Sequence, residues 1–155
     1  MVEFKLRNAT QDDYEAAYNI KKDALESYVE KTWGWNEEFQ RNYHEKYFVP
    51  NNLKIIEVNN KPIGSLKFIK EKDHIFLSEL FIIQAYQSNK IGSRIIKDYI
   101  KKAIIEKKTV RLQVLRKNER AVNLYKKLGF EIHKEDNVYF KMICRYEQWY
   151  YQNSF

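Results

Sequence analysis

A polar turn between a strand pattern and a helix pattern is the segment of this sequence best suited to chemistry. Residues 75–83 are apolar enough for a buried strand, and residues 94–106 carry the apolar stripe of an amphipathic helix. A turn at that junction directs backbone N–H groups and the positive helix end to one spot, which suits a phosphate or another anion. The turn comprises Gln87, Ser88, Asn89, Lys90, Ile91, Gly92 and Ser93.

Composition limits the classes of protein to consider. The chain has 155 residues, 44% of them hydrophobic and 32% charged, which favours one domain over residues 1–155. No apolar run approaches the ~20 residues of a membrane helix, so we expect no membrane association. The N-terminus, residues 1–5, lacks the basic-then-apolar layout of a signal peptide, so we expect none. Cys144 is the only cysteine, which excludes an intramolecular disulfide and favours a cytoplasmic location. No metal-ligand cluster is evident, so we expect no metal.

The formal net charge of +7 does not by itself indicate nucleic-acid binding. Lysines are scattered through every segment and interleaved with Glu and Asp, whereas a nucleic-acid surface concentrates its basic residues on one face. We therefore expect a solvated, lysine-rich surface and no nucleic-acid partner. Such a surface could still attract an anionic cofactor.

Periodicity and turn residues predict the order β-α-α-β-β-β-α-β-α-β-β, a mixed α/β sheet. The helices are expected over apolar positions Tyr14 to Tyr28 and over residues 36–47, 94–106 and 118–128. The strands are expected at residues 2–7, 53–58, 63–69, 75–83, 110–115, 130–133 and 138–144. Thr10 and Asp13 predict a capping box at the start of the first helix.

A second motif identifies a family. Residues 118–130 read Asn-Glu-Arg-Ala-Val-Asn-Leu-Tyr-Lys-Lys-Leu-Gly-Phe, which resembles the Asn-x-x-Ala-x-x-Leu-Tyr-x-x-x-Gly-Phe segment of the GNAT superfamily of N-acetyltransferases. The turn at residues 87–92 is similar to that family's pyrophosphate loop, Gln/Arg-x-x-Gly-x-Gly/Ala. The resemblance implies a mostly antiparallel central sheet flanked by helices, with acetyl-CoA as co-substrate.

Lys90 departs from the family pattern, because it occupies the position of the first loop glycine. If this residue must adopt a left-handed conformation, the cost is roughly 1–2 kcal/mol. Pairing of its ammonium with a phosphate would offset that cost. The alternative is that the turn binds CoA weakly.

By resemblance, further cofactor contacts come from the strand end and from the second motif. The backbone at Phe81, Ile82 and Ile83 would run beside the pantetheine arm, with the Ile82 N–H polarising the thioester carbonyl. Asn118 is expected both to cap its helix and to face the cofactor, and Ala121 would allow the cofactor close approach.

Tyr125 and Glu79 are the candidate catalytic residues. By resemblance, Tyr125 acts as the acid near the CoA sulfur; a buried core role is the alternative. Proton transfer from a phenol of pKa about 10 to a thiolate of pKa about 8.5 is unfavourable in free energy. It becomes favourable only if Lys126 or Lys127 lowers the pKa of Tyr125. Glu79, in the central strand, is the candidate general base, and a cross-strand ion pair is the alternative. Weaker candidates for the base are His44, His74 and His133.

The acceptor side is expected between the first helices and the C-terminal hairpin. There the sequence offers an aromatic and acidic segment, in which the tryptophans could instead pin a helix to the core: Trp33, Trp35, Glu37 and Glu38. The aromatic tail, residues 146–155, is expected to dock on the sheet edge or in a homodimer.

The leading hypothesis is therefore acetyl transfer from acetyl-CoA to a primary amine, small molecule or peptide, by direct attack in a ternary complex. A CoA-binding module without transferase activity is the main alternative, and a nucleic-acid binder is a third. The sequence does not name the acceptor.

Overall fold

A computed structural model of the protein describes residues 1–147. This part of the chain forms β1 Lys5–Asn8, α1 Tyr14–Thr32, α2 Glu37–Tyr47, β2 Lys54–Val58, β3 Lys61–Lys70, β4 His74–Ile82, α3 Ile91–Ile105, β5 Thr109–Leu115, α4 Glu119–Lys127, β6 Glu131–Glu135 and β7 Tyr139–Cys144. Short 3₁₀ helices precede α1 at Gln11–Asp13 and follow β4 at Gln84–Tyr86. Most of the aromatic tail, residues 148–155, lies outside the described residues.

The strands form one mixed sheet in the order β1-β2-β3-β4-β5-β7-β6. Antiparallel ladders join β1 to β2, β2 to β3, β5 to β7 and β6 to β7, whereas β4 and β5 are parallel. The parallel pair follows from the chain path, because α3 carries the chain back across the sheet between these two strands. The predicted fold class and the predicted order of elements are confirmed.

The described chain divides into two compact units. The first comprises residues 1–67 and 79–91. Its core contains apolar side chains from α1 and from β2 and β3: Tyr18, Ile20, Ile55, Ile56, Ile63 and Leu66. The predicted capping box is present, since the Thr10 N–H donates to Asp13 Oδ2 at 2.8 Å. Arg7 then binds the same carboxylate at 2.8 and 2.9 Å, which ties the helix start to β1.

Two local features shape β3 of this unit, one in the turn that joins it to β2 and one where it lies against β4. Asn59 and Asn60 have φ angles of 51° and 64°, the left-handed pair that a two-residue hairpin turn requires. Gly64 lets β3 approach β4 closely, because a Cβ atom there would lie 2.6 Å from the backbone oxygen of Phe81 and 2.9 Å from Ile56. A larger residue at this position would therefore push against the backbone of β4.

The second unit comprises residues 68–78 and the chain from Gly92 onward. Its core is built by α3 and the central strands, with Ile75, Ile95, Ile96, Ile100, Val110 and Met142 all buried. The Phe68 and Tyr99 rings stack with their centroids 3.7 Å apart. Gly129, at φ 99°, follows the last turn of α4, as the sequence predicts for a helix stop. The prediction of a single domain over residues 1–155 stays a prediction.

Candidate active site

The turn after β4 has two left-handed residues. Ser88 and Lys90 have φ angles of 69° and 61°, on either side of Asn89. The side-chain amide of Gln87 donates from Nε2 to the Ile82 carbonyl at 2.8 Å, and the side-chain amide of Asn89 donates from Nδ2 to the Tyr86 carbonyl at 3.1 Å. These two amides hold the backbone of the turn in shape. The left-handed conformation considered for Lys90 is therefore present.

The helix after this turn begins earlier than the sequence predicts. α3 starts at Ile91 rather than at residue 94, so Gly92 and Ser93 lie in its first turn. The prediction failed at this boundary because glycine and serine are weak helix formers, whereas in the structure Gly92 is buried within the first turn of the helix. The first N–H groups of a helix have no acceptor within it, so this end of α3 retains the donors that an anion needs.

The end of β4 is fixed on the β3 side. The Ile83 N–H donates to the Ile63 carbonyl at 3.0 Å. On the other side, the ladder with β5 runs over four pairs and ends at Leu77↔Leu112, while β4 continues to Ile82. The predicted role of the Ile82 N–H on a thioester carbonyl stays a prediction, as does the passage of the cofactor beside Phe81 and Ile83.

The second motif forms α4, and its first residue acts as predicted. The side chain of Asn118 accepts a hydrogen bond from the Ala121 N–H at 3.2 Å, which is an N-cap. A cofactor contact by Asn118 or Ala121 stays a prediction.

Tyr125 is buried in α4, with its ring centroid 5.7 Å from that of Phe130. Burial raises the pKa of the Tyr125 hydroxyl to about 12. The expectation that Lys126 or Lys127 lowers this pKa is wrong. Both lysines are exposed to water, which screens their charge, whereas the phenol has lost its hydration.

Glu79 lies in a pocket of the first unit. We call this the Glu79 pocket; it is a cavity of about 40 Å³ that opens to solvent. Glu79 and Phe81 both line it, as alternation along β4 predicts. The other residues that matter below come from α1, α2 and β3, namely Lys21, Tyr43, His44, Tyr47, Ser65 and Lys67.

The charged groups of the Glu79 pocket are not paired with one another directly. Among residues 1–147, no ion pair within 4.0 Å involves Glu79, Lys21 or Lys67. Burial raises the pKa of Glu79, and the charges of Lys67 and Lys21 only partly oppose this. Burial likewise lowers the pKa of Lys21, against the opposing effect of Glu79. The cross-strand ion pair that the sequence left open as an alternative for Glu79 is absent from this part of the chain.

The histidines are less suited to the role of base. His44 Nε2 lies 2.8 Å from the Tyr14 carbonyl, which fixes the proton on Nε2, and burial lowers its pKa. Its ring packs among those of Tyr14 and Phe48, so its first role is to join α1 to α2. His74 pairs with Asp73 at 2.8 Å, and His133 is exposed on β6.

The predicted acceptor segment has a structural role at the α1–α2 corner. Glu37 accepts hydrogen bonds from Trp35 Nε1 at 2.8 Å, from Tyr18 at 2.8 Å and from Lys22 at 2.9 Å. These bonds, that from Trp35 first, lower its pKa to about 2. Trp33 is 58% exposed, and Glu38 is exposed as well. An acceptor role for Trp33, Trp35, Glu37 and Glu38 stays a prediction, and the structure gives Glu37 other partners.

Sequence reasoning missed the two lysines of the Glu79 pocket. Lys21 follows Ala17 by four residues and therefore lies within the apolar stripe of α1. A lysine at such a position could have indicated that its side chain faces the interior. The sequence pattern did not distinguish Lys67 from a solvent-facing residue, because polar residues commonly alternate with apolar ones along a strand.

A profile of the Acetyltransferase (GNAT) family matches residues 5–130 of the chain. The chain belongs to the GNAT family. Among its relatives is an uncharacterised N-acetyltransferase of Methanocaldococcus jannaschii, MJ1207. It is 25% identical over 169 aligned positions, which cover 92% of this chain and 74% of that protein.

Solved structures share the GNAT fold of this chain. The PaiA N-acetyltransferase of Thermoplasma acidophilum, solved in complex with coenzyme A, is 16% identical with a TM-score of 0.76; the match covers 92% of this chain and 99% of that one. The ribosomal-protein-S18-alanine N-acetyltransferase of Escherichia coli is 17% identical with a TM-score of 0.65, over 92% and 94% of the two chains. At these identities the likeness concerns the fold alone.

Residues 1–147 contain neither a membrane-spanning helix nor a metal site. None of the helices described there is long and apolar enough to cross a membrane. The same residues contain no group of three His, Cys, Asp or Glu side chains that could hold a metal ion.

For a GNAT chain, the left-handed Lys90 gives a testable prediction. We expect Lys90→Gly to raise the free energy of unfolding by about 0.5–1 kcal/mol, since glycine adopts φ 61° without strain but is more flexible when unfolded. If the ammonium binds a phosphate of CoA, the same change weakens CoA binding severalfold and flattens its salt dependence. Denaturant unfolding and calorimetry at two salt concentrations measure these effects.

Lys107 provides the matched control, because it is also a left-handed lysine, with φ 54°, at the end of α3. Lys107→Gly should stabilise the chain similarly and leave CoA affinity unchanged. Equal CoA affinity and salt dependence in wild type and Lys90→Gly would remove the proposed phosphate contact.

Proposed function

We propose that this protein transfers the acetyl group of acetyl-CoA to a primary amine by direct attack in a ternary complex. The observation that carries the proposal is the Glu79 carboxylate in the Glu79 pocket of a GNAT-family chain, which has no ion-pair partner within 4.0 Å among residues 1–147. A base of raised pKa is better matched to neutral pH than an ordinary carboxylate, because it binds the transferred proton more strongly.

The proposed reaction assigns one task to each group. Glu79 takes a proton from the amine as its nitrogen attacks the thioester carbonyl carbon. The C–N bond forms, negative charge develops on the carbonyl oxygen, and the Ile82 N–H stabilises it. The C–S bond then breaks, and the departing thiolate accepts a hydrogen bond from Tyr125. The thiolate then takes a proton from water and Glu79 releases its proton to water, so the products are an acetamide and the free thiol of CoA.

Cys144 supports direct attack over a covalent acyl-enzyme. It is 1% exposed, and burial raises the pKa of its thiol to about 12. A thiol that stays protonated is a poor nucleophile, since the thiolate is the reactive form. The amine is therefore the nucleophile that attacks the thioester in this proposal.

Two measurements separate this function from its alternatives. Calorimetry with acetyl-CoA should detect binding, and absence of binding at millimolar concentration would exclude both CoA-dependent functions. A thiol-release assay over a panel of amines should detect amine-dependent production of CoA. Binding without release for any amine would favour the CoA-binding module, whereas binding of nucleic acid alone would favour the third hypothesis.

A further inference from the structure

We propose that the acceptor is a small zwitterion: an amine that also carries an anionic group, first of all the carboxylate of an amino acid with an aromatic or large apolar side chain. This inference rests on the proposed function and specifies its substrate. It concerns the Glu79 pocket alone, all of whose lining residues belong to the first unit of the chain.

The first support is the balance of charge in the Glu79 pocket. Two lysines, Lys21 and Lys67, and one carboxylate, Glu79, line the same space without an ion pair within 4.0 Å among residues 1–147. Partly buried charges are costly unless they are paired. A ligand ammonium beside Glu79 and a ligand anion beside the lysines would satisfy all three.

The second support is how Lys21 is held. Its Nζ lies 4.6 Å from the centroid of the Tyr43 ring, a cation–π contact that retains the ammonium at the pocket. A cation kept here without a carboxylate partner favours anions and repels polycations. A polyamine, with several ammonium groups, would place at least one of them against Lys21 or Lys67.

The third support is the aromatic wall of the pocket. Tyr43 and Tyr47 are 46% and 53% exposed, and their ring centroids are 4.6 Å apart. Phe48 and Phe81 line the same space. Exposed aromatic rings beside a pocket offer a surface for an apolar or aromatic side chain, which explains why the acceptor would be more than a small polar zwitterion.

The experiment compares two acceptors that differ by one charged group, together with a phosphate-bearing amine and a polyamine. Thiol release is measured with L-phenylalanine, phenethylamine, O-phosphoethanolamine and spermidine. We expect kcat/KM for L-phenylalanine to exceed that for phenethylamine, which lacks only the carboxylate, by about tenfold or more. A higher kcat/KM for O-phosphoethanolamine than for L-phenylalanine would identify phosphate as the anion and overturn the choice of a carboxylate.

The matched variants are Lys21→Met and Lys67→Met, which keep the apolar stem and remove the charge. Each should reduce the preference for L-phenylalanine over phenethylamine severalfold. Lys61→Met, an exposed lysine on the same strand as Lys67, should retain the full preference. The proposal is overturned if spermidine or phenethylamine is the better acceptor in wild type, or if both pocket variants keep the wild-type preference.

A binding measurement separates this inference from the transferase proposal. Calorimetry of L-phenylalanine and phenethylamine in the presence of CoA reports on the Glu79 pocket without any reaction. Tighter binding of L-phenylalanine, weakened by Lys21→Met, supports the zwitterion site even if no amine is acetylated. Amine-dependent thiol release with equal binding of the two compounds would uphold the transferase and contradict the zwitterion site.

Discussion

Glu79→Gln is expected to lower kcat/KM for amine acetylation by about 10²–10⁴-fold, the usual contribution of a positioned general base. Glutamine has nearly the same shape but cannot accept a proton at neutral pH. Binding of acetyl-CoA should change little, because the substitution removes no group assigned to the cofactor. Steady-state kinetics, with calorimetry for the cofactor, measures both quantities.

The pH profile gives this prediction a second readout. Burial raises the pKa of Glu79, so its basic form is lost at a higher pH than that of an ordinary glutamate as the solution is acidified. Wild-type kcat/KM should therefore fall with decreasing pH through an apparent pKa above the usual value of about 4.3, and Glu79→Gln should lack this limb.

Stability separates loss of the base from loss of the fold. A carboxyl whose pKa is higher in the folded than in the unfolded state contributes stability at low pH, and that contribution disappears as the pH rises through the folded value. At pH 7, the Glu79→Gln variant should thus be at least as stable as the wild type. Glu71→Gln makes the same chemical change on an exposed turn and should retain activity. Equal kcat/KM values for the two variants would refute the role of Glu79.

Tyr125→Phe is expected to lower kcat by about 10–100-fold while changing the Kd of acetyl-CoA only a fewfold. The phenol would donate to the departing thiolate, and a hydrogen bond to a charged group contributes about 1.5–3 kcal/mol. Rapid-mixing or steady-state thiol release gives kcat, and calorimetry gives the Kd. Tyr99→Phe makes the same change on α3 and should leave kcat near the wild-type value.

The raised pKa of Tyr125 limits its role to hydrogen bonding. With a pKa of about 12, full proton transfer to a thiolate of pKa about 8.5 would be uphill by roughly 5 kcal/mol. Tyr125 also remains protonated throughout the working range, so it should add no basic limb to the pH profile. Such a limb, present in the wild type and absent from Tyr125→Phe, would indicate proton transfer, and an unchanged kcat would eliminate the leaving-group role altogether.

The order of elements and the motif segments could be predicted from the sequence because their causes are local. Apolar periodicity, the Thr10–Asp13 capping box and the Asn118 cap involve residues at most a few positions apart. The start of α3 could not be predicted, because burial of Gly92 depends on packing and overrides its weak helix propensity. The family resemblance could also be predicted from the sequence, since residues 118–130 match the GNAT segment at every named position.

The sequence by itself therefore determined the α/β order and the resemblance to the GNAT family, and it left the left-handed conformation of Lys90 as a condition that the structure then met. Only the tertiary structure decided the surroundings of the catalytic candidates. It placed Lys21 and Lys67 around Glu79 and buried Tyr125 away from the influence of its neighbouring lysines. The physical reason is that desolvation and long-range charge depend on residues tens of positions apart, such as Lys21 and Glu79, whose proximity no local pattern encodes.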